Sequence, residues 1–216
     1  MRFAMTSVCV AVMMFVSASA LVRADDMAKE AKPAAEKSAG EKSAAPSQDE
    51  MMKQMMEIGT PGPEQAQLAK YVGEFTAEVS MWMDPSQPPS KSTGKLKNEM
   101  VLGGRYLMGN YEGEFMGKPF HGMSCTGYDK GKKKYFSGWI DDMSTGCMMT
   151  EGEADASGKK LTLSGECYCP QTNGMMTMRQ VMTMVDDDHM KFEMYGPGPD
   201  GKEMKHMEIV YTRVKP

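Results

Sequence analysis

Residues 167–185 read CYCPQTNGMMTMRQVMTMV, and their spacing decides the fold. From Met176 onward the apolar residues recur at every second position. Met176, Met178, Met182 and Met184 share one face with Gln180. Thr177, Arg179, Val181, Thr183 and Val185 share the other. A period of two is that of a β-strand with one apolar side. The preceding stretch behaves alike, with Leu161, Leu163, Cys167 and Cys169 on one face. Asn173-Gly174 between the two runs is a two-residue hairpin signal. With those two at the centre of the turn, Thr172 pairs with Met175 and Cys169 stands opposite Met178. Pro170 works against that register, because it interrupts the ladder and lengthens the loop.

The same alternation extends in both directions. Ten strands are predicted near 75–83, 93–102, 105–113, 119–128, 134–141, 145–153, 160–168, 175–185, 190–195 and 203–213. Turn sequences such as DPSQPPS, LGGR, MGKP, DKGKK, DASGK and GPGPDGK separate them. No long helical pattern intervenes. Evenly spaced short strands predict an all-β, antiparallel meander barrel of about ten strands, since closure removes exposed edges. Ahead of it, DEMMKQMMEIG (49–59) has apolar residues at helical spacing and a glycine stop. TPGPEQAQLAKYVGEF then gives a second short helix, entered through Pro63 and ended at Gly73, with the length of a lid on one barrel end. Residues 49–216 therefore form one barrel domain with N-terminal lid helices.

The first 48 residues belong elsewhere. Arg2 precedes an apolar stretch from Phe3 to Val16, followed by small-residue sites ending at Ala20 and Ala24. This is the pattern of an export signal at 1–24, cleaved before Asp25. The apolar run is short for a membrane span, leaving an uncleaved anchor as the alternative. Cys9 has no lipobox around it. Residues 25–48 are almost entirely Ala, Lys, Glu, Ser and Pro and read as a disordered spacer. The expected location is periplasmic or secreted. Cleavage takes the formal charge from −4 to −6, which argues against nonspecific nucleic-acid binding. No integral membrane span is expected after cleavage.

The sulfur content supports two readings. The chain has 27 methionines, used across many strands, and methionine fills irregular apolar space well. The alternative is a soft-metal site for copper, with Cys167, Cys169, Met176 and Met178 as ligands. His121, His189 and His206 are scattered and show no H-x-x-H spacing. A disulfide between Cys147 and Cys167 competes for the same sulfur; a register change of one residue would separate the two side chains.

The block GYDKGKKKYFSGWIDDMSTG is the richest in polar and aromatic groups. Tyr135, Ser137, Trp139 and Asp141 alternate on one strand face, with Tyr128 on the strand before. Arg105 follows a Gly-Gly turn, and Arg179 and Glu193 are expected to add charge to the interior. Arg105, Tyr128, Tyr135, Trp139, Asp141 and Arg179 are thus the candidate lining of a pocket for an apolar or amphipathic small molecule. Catalytic motifs are missing: there is no G-x-S-x-G, P-loop, G-x-G-x-x-G or H-E-x-x-H. Asp141-Asp142 and Asp186-Asp187-Asp188 sit beside turns, where Asp is common. A non-enzymatic role is expected.

From Met52 to Arg213 the chain resembles the bacterial exported family called domain of unknown function 1579. LGGRYL, YEGEFMGKPFHG, TGYDKGKKKYFSGWIDDMSTG and FEMYGPGPDGKEMKHMEIVYTR carry the resemblance, with TPGPEQAQLAKYVGEF and MWMDPSQPPSKSTG. It implies a calycin-like barrel, similar to lipocalins and to small haem-binding nitrobindin-like barrels, with no established activity. Gly73-x-Phe75 looks like the G-x-W opening of lipocalin barrels, with Phe in place of Trp. In those barrels an Arg of the last strand covers the aromatic, a role that Arg213 matches. Haem would need a cavity His; His206 shares its predicted face with Met204, Glu208 and Val210, a poor match. The resulting expectation is a small-molecule binding barrel. The alternatives are a copper binder and a barrel that carries no ligand.

Overall fold

The computed structural model describes residues 46–170 and 172–215. The expected export signal and the expected spacer up to residue 45 lie outside the described residues. Residues 46–47 lead into helix α1 (Gln48–Gly59), which takes in the last residue of the expected spacer. Ser47 caps it: the Glu50 amide donates to Ser47 Oγ, and the Ser47 amide donates to the Glu50 carboxylate at 2.7 Å. None of its residues is buried. Lys130 Nζ fastens its far end, donating to Glu57 O and Thr60 O. Helix α2 (Pro63–Ala69) is shorter than predicted. The chain leaves the helix at Lys70, and Gly73, at φ +139°, already belongs to the first strand. Among the described residues no helix is long and apolar enough to cross a membrane.

Ten antiparallel strands follow: β1 (Gly73–Met81), β2 (Ser90–Val101), β3 (Tyr106–Phe115), β4 (Lys118–Asp129), β5 (Lys134–Asp141), β6 (Met148–Ala154), β7 (Lys160–Cys169), β8 (Gly174–Met184), β9 (His189–Pro197) and β10 (Glu203–Arg213). Each pairs with the next in the chain, and β1 pairs with β10 to close the barrel. The predicted fold class stands, and every predicted strand is present. The inward faces are those the alternation gave: Phe75, Ala77 and Val79 in β1, Leu161 and Leu163 in β7, Met178 and Met184 in β8 are all buried. Gly152 and Gly165 mark where β6 and β7 bend across one another, because a Cβ on either would run into the facing backbone.

Two expectations are corrected. The β7–β8 hairpin pairs Cys169 with Gly174 and Cys167 with Met176, so Cys169 does not face Met178. β7 ends at Cys169 and β8 begins at Gly174, a wider separation than a two-residue turn, with Pro170 at the end of the ladder. The Cys147–Cys167 disulfide is absent. Cys147 lies outside, 3.5 Å from the sulfur of exposed Met149, whereas Cys167 is on the inner face across from Met176.

The core sits at one end. Leu68 and Tyr71 from α2 and its exit join Phe75, Leu107, Tyr135, Leu161, Met184, Met190 and Tyr211, all buried. Each such side chain contributes about 1.5–3 kcal/mol through burial. Asn98 Nδ2, buried in β2, donates to Tyr71 O at 2.9 Å, and Gln65 Nε2 donates to Tyr128 O. Arg213 locks the same end. Its guanidinium lies 4.5 Å above the Phe75 ring and donates to Val72 O, Lys70 O and Asp187 O. The G-x-F opening with a covering Arg is therefore realised.

Candidate functional site

Strand alternation fixes which side chains enter the barrel, and the lid fixes which end they can leave open. Midway along, polar side chains cross the interior. Thr126 and Ser137 share a hydroxyl–hydroxyl bond of 2.9 Å, Thr150 Oγ1 reaches Ser137 O and Gln180 Oε1, and Gln180 Nε2 approaches Met148 Sδ at 3.6 Å. Above this belt lies the buried core. Below it most inward side chains are partly exposed, Tyr111 and Met178 being buried, and they fall into two walls.

One wall, from β3 to β5, is aromatic. Phe120 lies 6.0 Å from Tyr111, 6.0 Å from Phe115 and 6.4 Å from Trp139, nearly parallel to the last. Glycines on the inner face let these rings lie along the wall. A Cβ on Gly122 would strike the Trp139 indole, and one on Gly94 or Gly113 would strike the Tyr111 phenol. Trp139 Nε1 donates to Asp141 Oδ2 at 2.8 Å, which fixes the indole and leaves that carboxylate satisfied. The other wall, β6 to β10, carries sulfur: Met148, Cys167, Met176, Met178, Met194 and Met207 on inner positions. Burial, and then the neighbouring Cys169, push the Cys167 thiol up from its ordinary range.

The candidate pocket residues do not form one cluster. Trp139 and Asp141 line the open half. Tyr128 and Tyr135, in contact at 4.9 Å, sit under the lid at the opposite end; burial, then Glu64, raise both phenols. Arg105 lies in the β2–β3 turn and bonds Leu102 O. Arg179 and Glu193 point outward, against the expectation of interior charge, because Met178 and Gln180 occupy the inward positions beside Arg179. Arg179 forms a two-pronged pair with Glu203 at 2.8 and 2.7 Å and stacks 4.2 Å over Tyr195. The directly opposed carboxylates of Glu193 and Glu208 are bridged by Lys205. Burial works against the Glu193 carboxylate, but Lys205, Lys191 and Tyr195 outweigh it and hold its carboxyl low.

Tyr111, Phe115 and Phe120 were missing from the sequence-derived lining. Their signal was the run of glycines at alternate inner positions beside them. Two shallow hollows open on the surface of the barrel. One of about 440 Å³ lies at the open rim between Asp84-Pro85 and residues 198–204. The other, about 230 Å³, is on the outer wall around Lys132, Phe136 and Met149. Among the described residues no three His, Cys, Asp or Glu side chains gather to hold a metal.

Comparison with curated proteins gives no match. Among solved structures, the crystal structure of Rv2717c from M. tuberculosis is similar in fold, with a TM-score of 0.53 at 12% identity, covering 72% of this chain and 100% of that one. A redesigned β-barrel matches with a TM-score of 0.37 at 12% identity, over 70% of this chain and 96% of its own. The profile of a family described as "Protein of unknown function (DUF1579)" matches residues 60–213, and the chain belongs to that family.

Proposed function

We propose that the open half of the barrel binds one apolar or amphipathic small molecule. The observation that carries this is the pairing of walls: aromatic rings laid over Gly94, Gly113 and Gly122 face a wall of thioethers. Flat rings and polarizable sulfur both favour an apolar, preferably planar, guest. Few polar groups reach this half, so orientation falls to the Thr150–Gln180 belt. The leader-like first 24 residues support a role outside the cytoplasm, and N-terminal sequencing of the mature chain should begin at Asp25.

The test uses Trp139 as reporter in a Trp82→Phe chain, which leaves one indole. Titration with 1-anilinonaphthalene-8-sulfonate should quench Trp139 saturably at one probe per chain. Gly113→Ala should weaken the quenching, because its Cβ would push the Tyr111 phenol off the aromatic wall. An unquenched Trp139, together with a bare mass for protein purified from its natural compartment, rules the pocket out.

A further inference from the structure

We propose that the outer face of β4 and β5 pairs two copies of this chain into a transient, two-fold symmetric dimer. Outward residues of β3 to β6 stand in register across the wall, and three successive rows of them are apolar. Tyr106 and Phe136 form the first row, Cys125 and Met149 the second, Met123 and Ile140 the third. Met123, Ile140 and Met149 are 42%, 48% and 53% exposed. Glycines flatten this face. The Tyr106 and Phe136 rings, 6.2 Å apart, lie over Gly127, and the sulfurs of Met149 and Cys147 lie over Gly138. Single exposed apolar side chains are ordinary, but a continuous patch of about 400 Å² marks a contact surface.

Charge identifies the occupant. Beyond Phe136, at the lid end, the β4–β5 turn carries Lys130, Lys132, Lys133 and Lys134, which outnumber Asp129 and Glu151. Lys132 pairs with Glu151, whereas among the described residues Lys133 and Lys134 have no ion-pair partner. Beyond Ile140, at the open end, the outward groups of β3 to β5 are Glu112, Glu114 and the His121–Asp142 pair. One face thus runs from basic through apolar to acidic. A two-fold axis lying across the strands at Gly138 exchanges the two ends. It sets Lys134 over Asp142 of the second copy and Phe136 over its Ile140, because each pair is equally spaced about Gly138. On β4, the same axis at Cys125 sets Asp129 over His121 of the second copy. An axis along the strands would stack lysine turn on lysine turn, which repulsion disfavours.

Shape agrees with this arrangement. The outer hollow of about 230 Å³ opens among Lys132, Phe136, Met149 and Glu151, where the axis brings Ile140 of the second copy. Such a contact is isologous: the same patch serves both copies. Two convex barrel walls meet over a few strands only. With its charged rows the face spans about 600 Å² per copy, short of the roughly 800 Å² of a standard interface. The dimer is therefore weak, with a Kd on the order of 10 µM. The contact lies on the outside of the wall, so pairing and binding inside the open half are independent.

Sedimentation velocity on the chain purified from its natural compartment tests the pairing. The weight-average coefficient should climb from the monomer value near about 1 µM towards the dimer value near about 100 µM, at low salt. Ile140→Lys should weaken pairing about tenfold or more. Ile140 is half exposed, so the melting temperature of this variant should match wild type. Lys134→Asp and Asp142→Lys should each weaken pairing severalfold, since each sets like charges against one another. An equimolar mixture of these two variants should regain it, because every such contact in the mixed dimer joins opposite charges. Met52→Lys with Met55→Lys, on the exposed face of α1, should leave pairing unchanged. A monomer at every concentration overturns the proposal. So does a dimer that Ile140→Lys leaves intact, one that the α1 changes abolish, or a mixture that associates no better than its components.

Discussion

Replacing Arg213 by Ala should destabilise the barrel by about 3 kcal/mol. Three charged hydrogen bonds are lost, to Val72 O at 2.5 Å, Asp187 O at 2.8 Å and Lys70 O at 3.2 Å. At about 0.5–1.5 kcal/mol each, with low values where water replaces the donor, they amount to about 2–3 kcal/mol. The guanidinium over Phe75 adds roughly 0.5–1 kcal/mol. The backbone bond from the Arg213 amide to Asp188 O survives the change. For a domain of this size each kcal/mol moves the midpoint by about 2–4 °C, so the melting temperature should fall roughly 9 °C. Arg213→Lys should recover less than half, since one ammonium cannot span carbonyls on two separate segments as a fork does. Gly73→Ala should cost about as much, because its Cβ would displace Nη1 of Arg213 and its φ is +139°. Combined with Arg213→Ala, it should cost less than the sum. Urea unfolding followed by circular dichroism, with m unchanged, gives the numbers. A loss below about 1 kcal/mol, or full rescue by Lys, refutes the idea that this side chain clamps the lid to the barrel.

Other substitutions give equally definite outcomes. Tyr71 is buried with an unpartnered hydroxyl, and burial pushes its phenol up to about 12. Above pH 10 the unfolded chain loses this proton and the folded chain keeps it, so stability falls as pH rises from about 10 to 12. Tyr71→Phe should match or exceed wild-type stability at pH 7 and move alkaline unfolding upward by a few tenths of a pH unit or more; an unchanged alkaline midpoint contradicts this. Glu193 has a lowered carboxyl, so its contribution is present above its unfolded value and lost as pH falls. Lys205→Met leaves Glu193 facing Glu208 without a bridge and should cost about 1–2 kcal/mol at pH 7, with a smaller deficit in acid, read from urea midpoints at both pH values. Gly196→Ala should cost about 1–3 kcal/mol through collision with Met178, and the Met178→Ala background should remove most of that penalty.

The strands were legible because the two-residue period and a turn signal mark each one. Even the misread β7–β8 register kept every face correct. It displaced the pairing by an even number of residues, from Cys169 opposite Met178 to Cys169 opposite Gly174, and an even displacement preserves inside and outside. Cys147 shows the other case, ending outside beside Met149. What alternation cannot encode is depth along the barrel. Tyr135 and Trp139 share one face of β5, yet the lid buries the first and leaves the second at the open half. Nor does it encode lateral neighbours. Arg179 finds Glu203, and Lys205 joins Glu193 to Glu208, through pairings of β8, β9 and β10 that depend on the irregularity at His206.

The circular strand order has a temporal consequence. Nine of the ten pairings join strands adjacent in the chain, and each can form as a local hairpin. The tenth joins Phe75 to Arg213 and waits for the last residues of the domain. Until then β1 and the growing end of the meander both present unpaired edges, which recruit other chains. Closure therefore comes late, and its loop entropy is met by one ladder together with the Arg213 clamp on that same ladder. A chain cut short before β10 keeps nearly all its hairpins and still lacks a sealed wall. It should collect as β-rich aggregates, and the C-terminal strand is the piece that, supplied in trans, would rescue it.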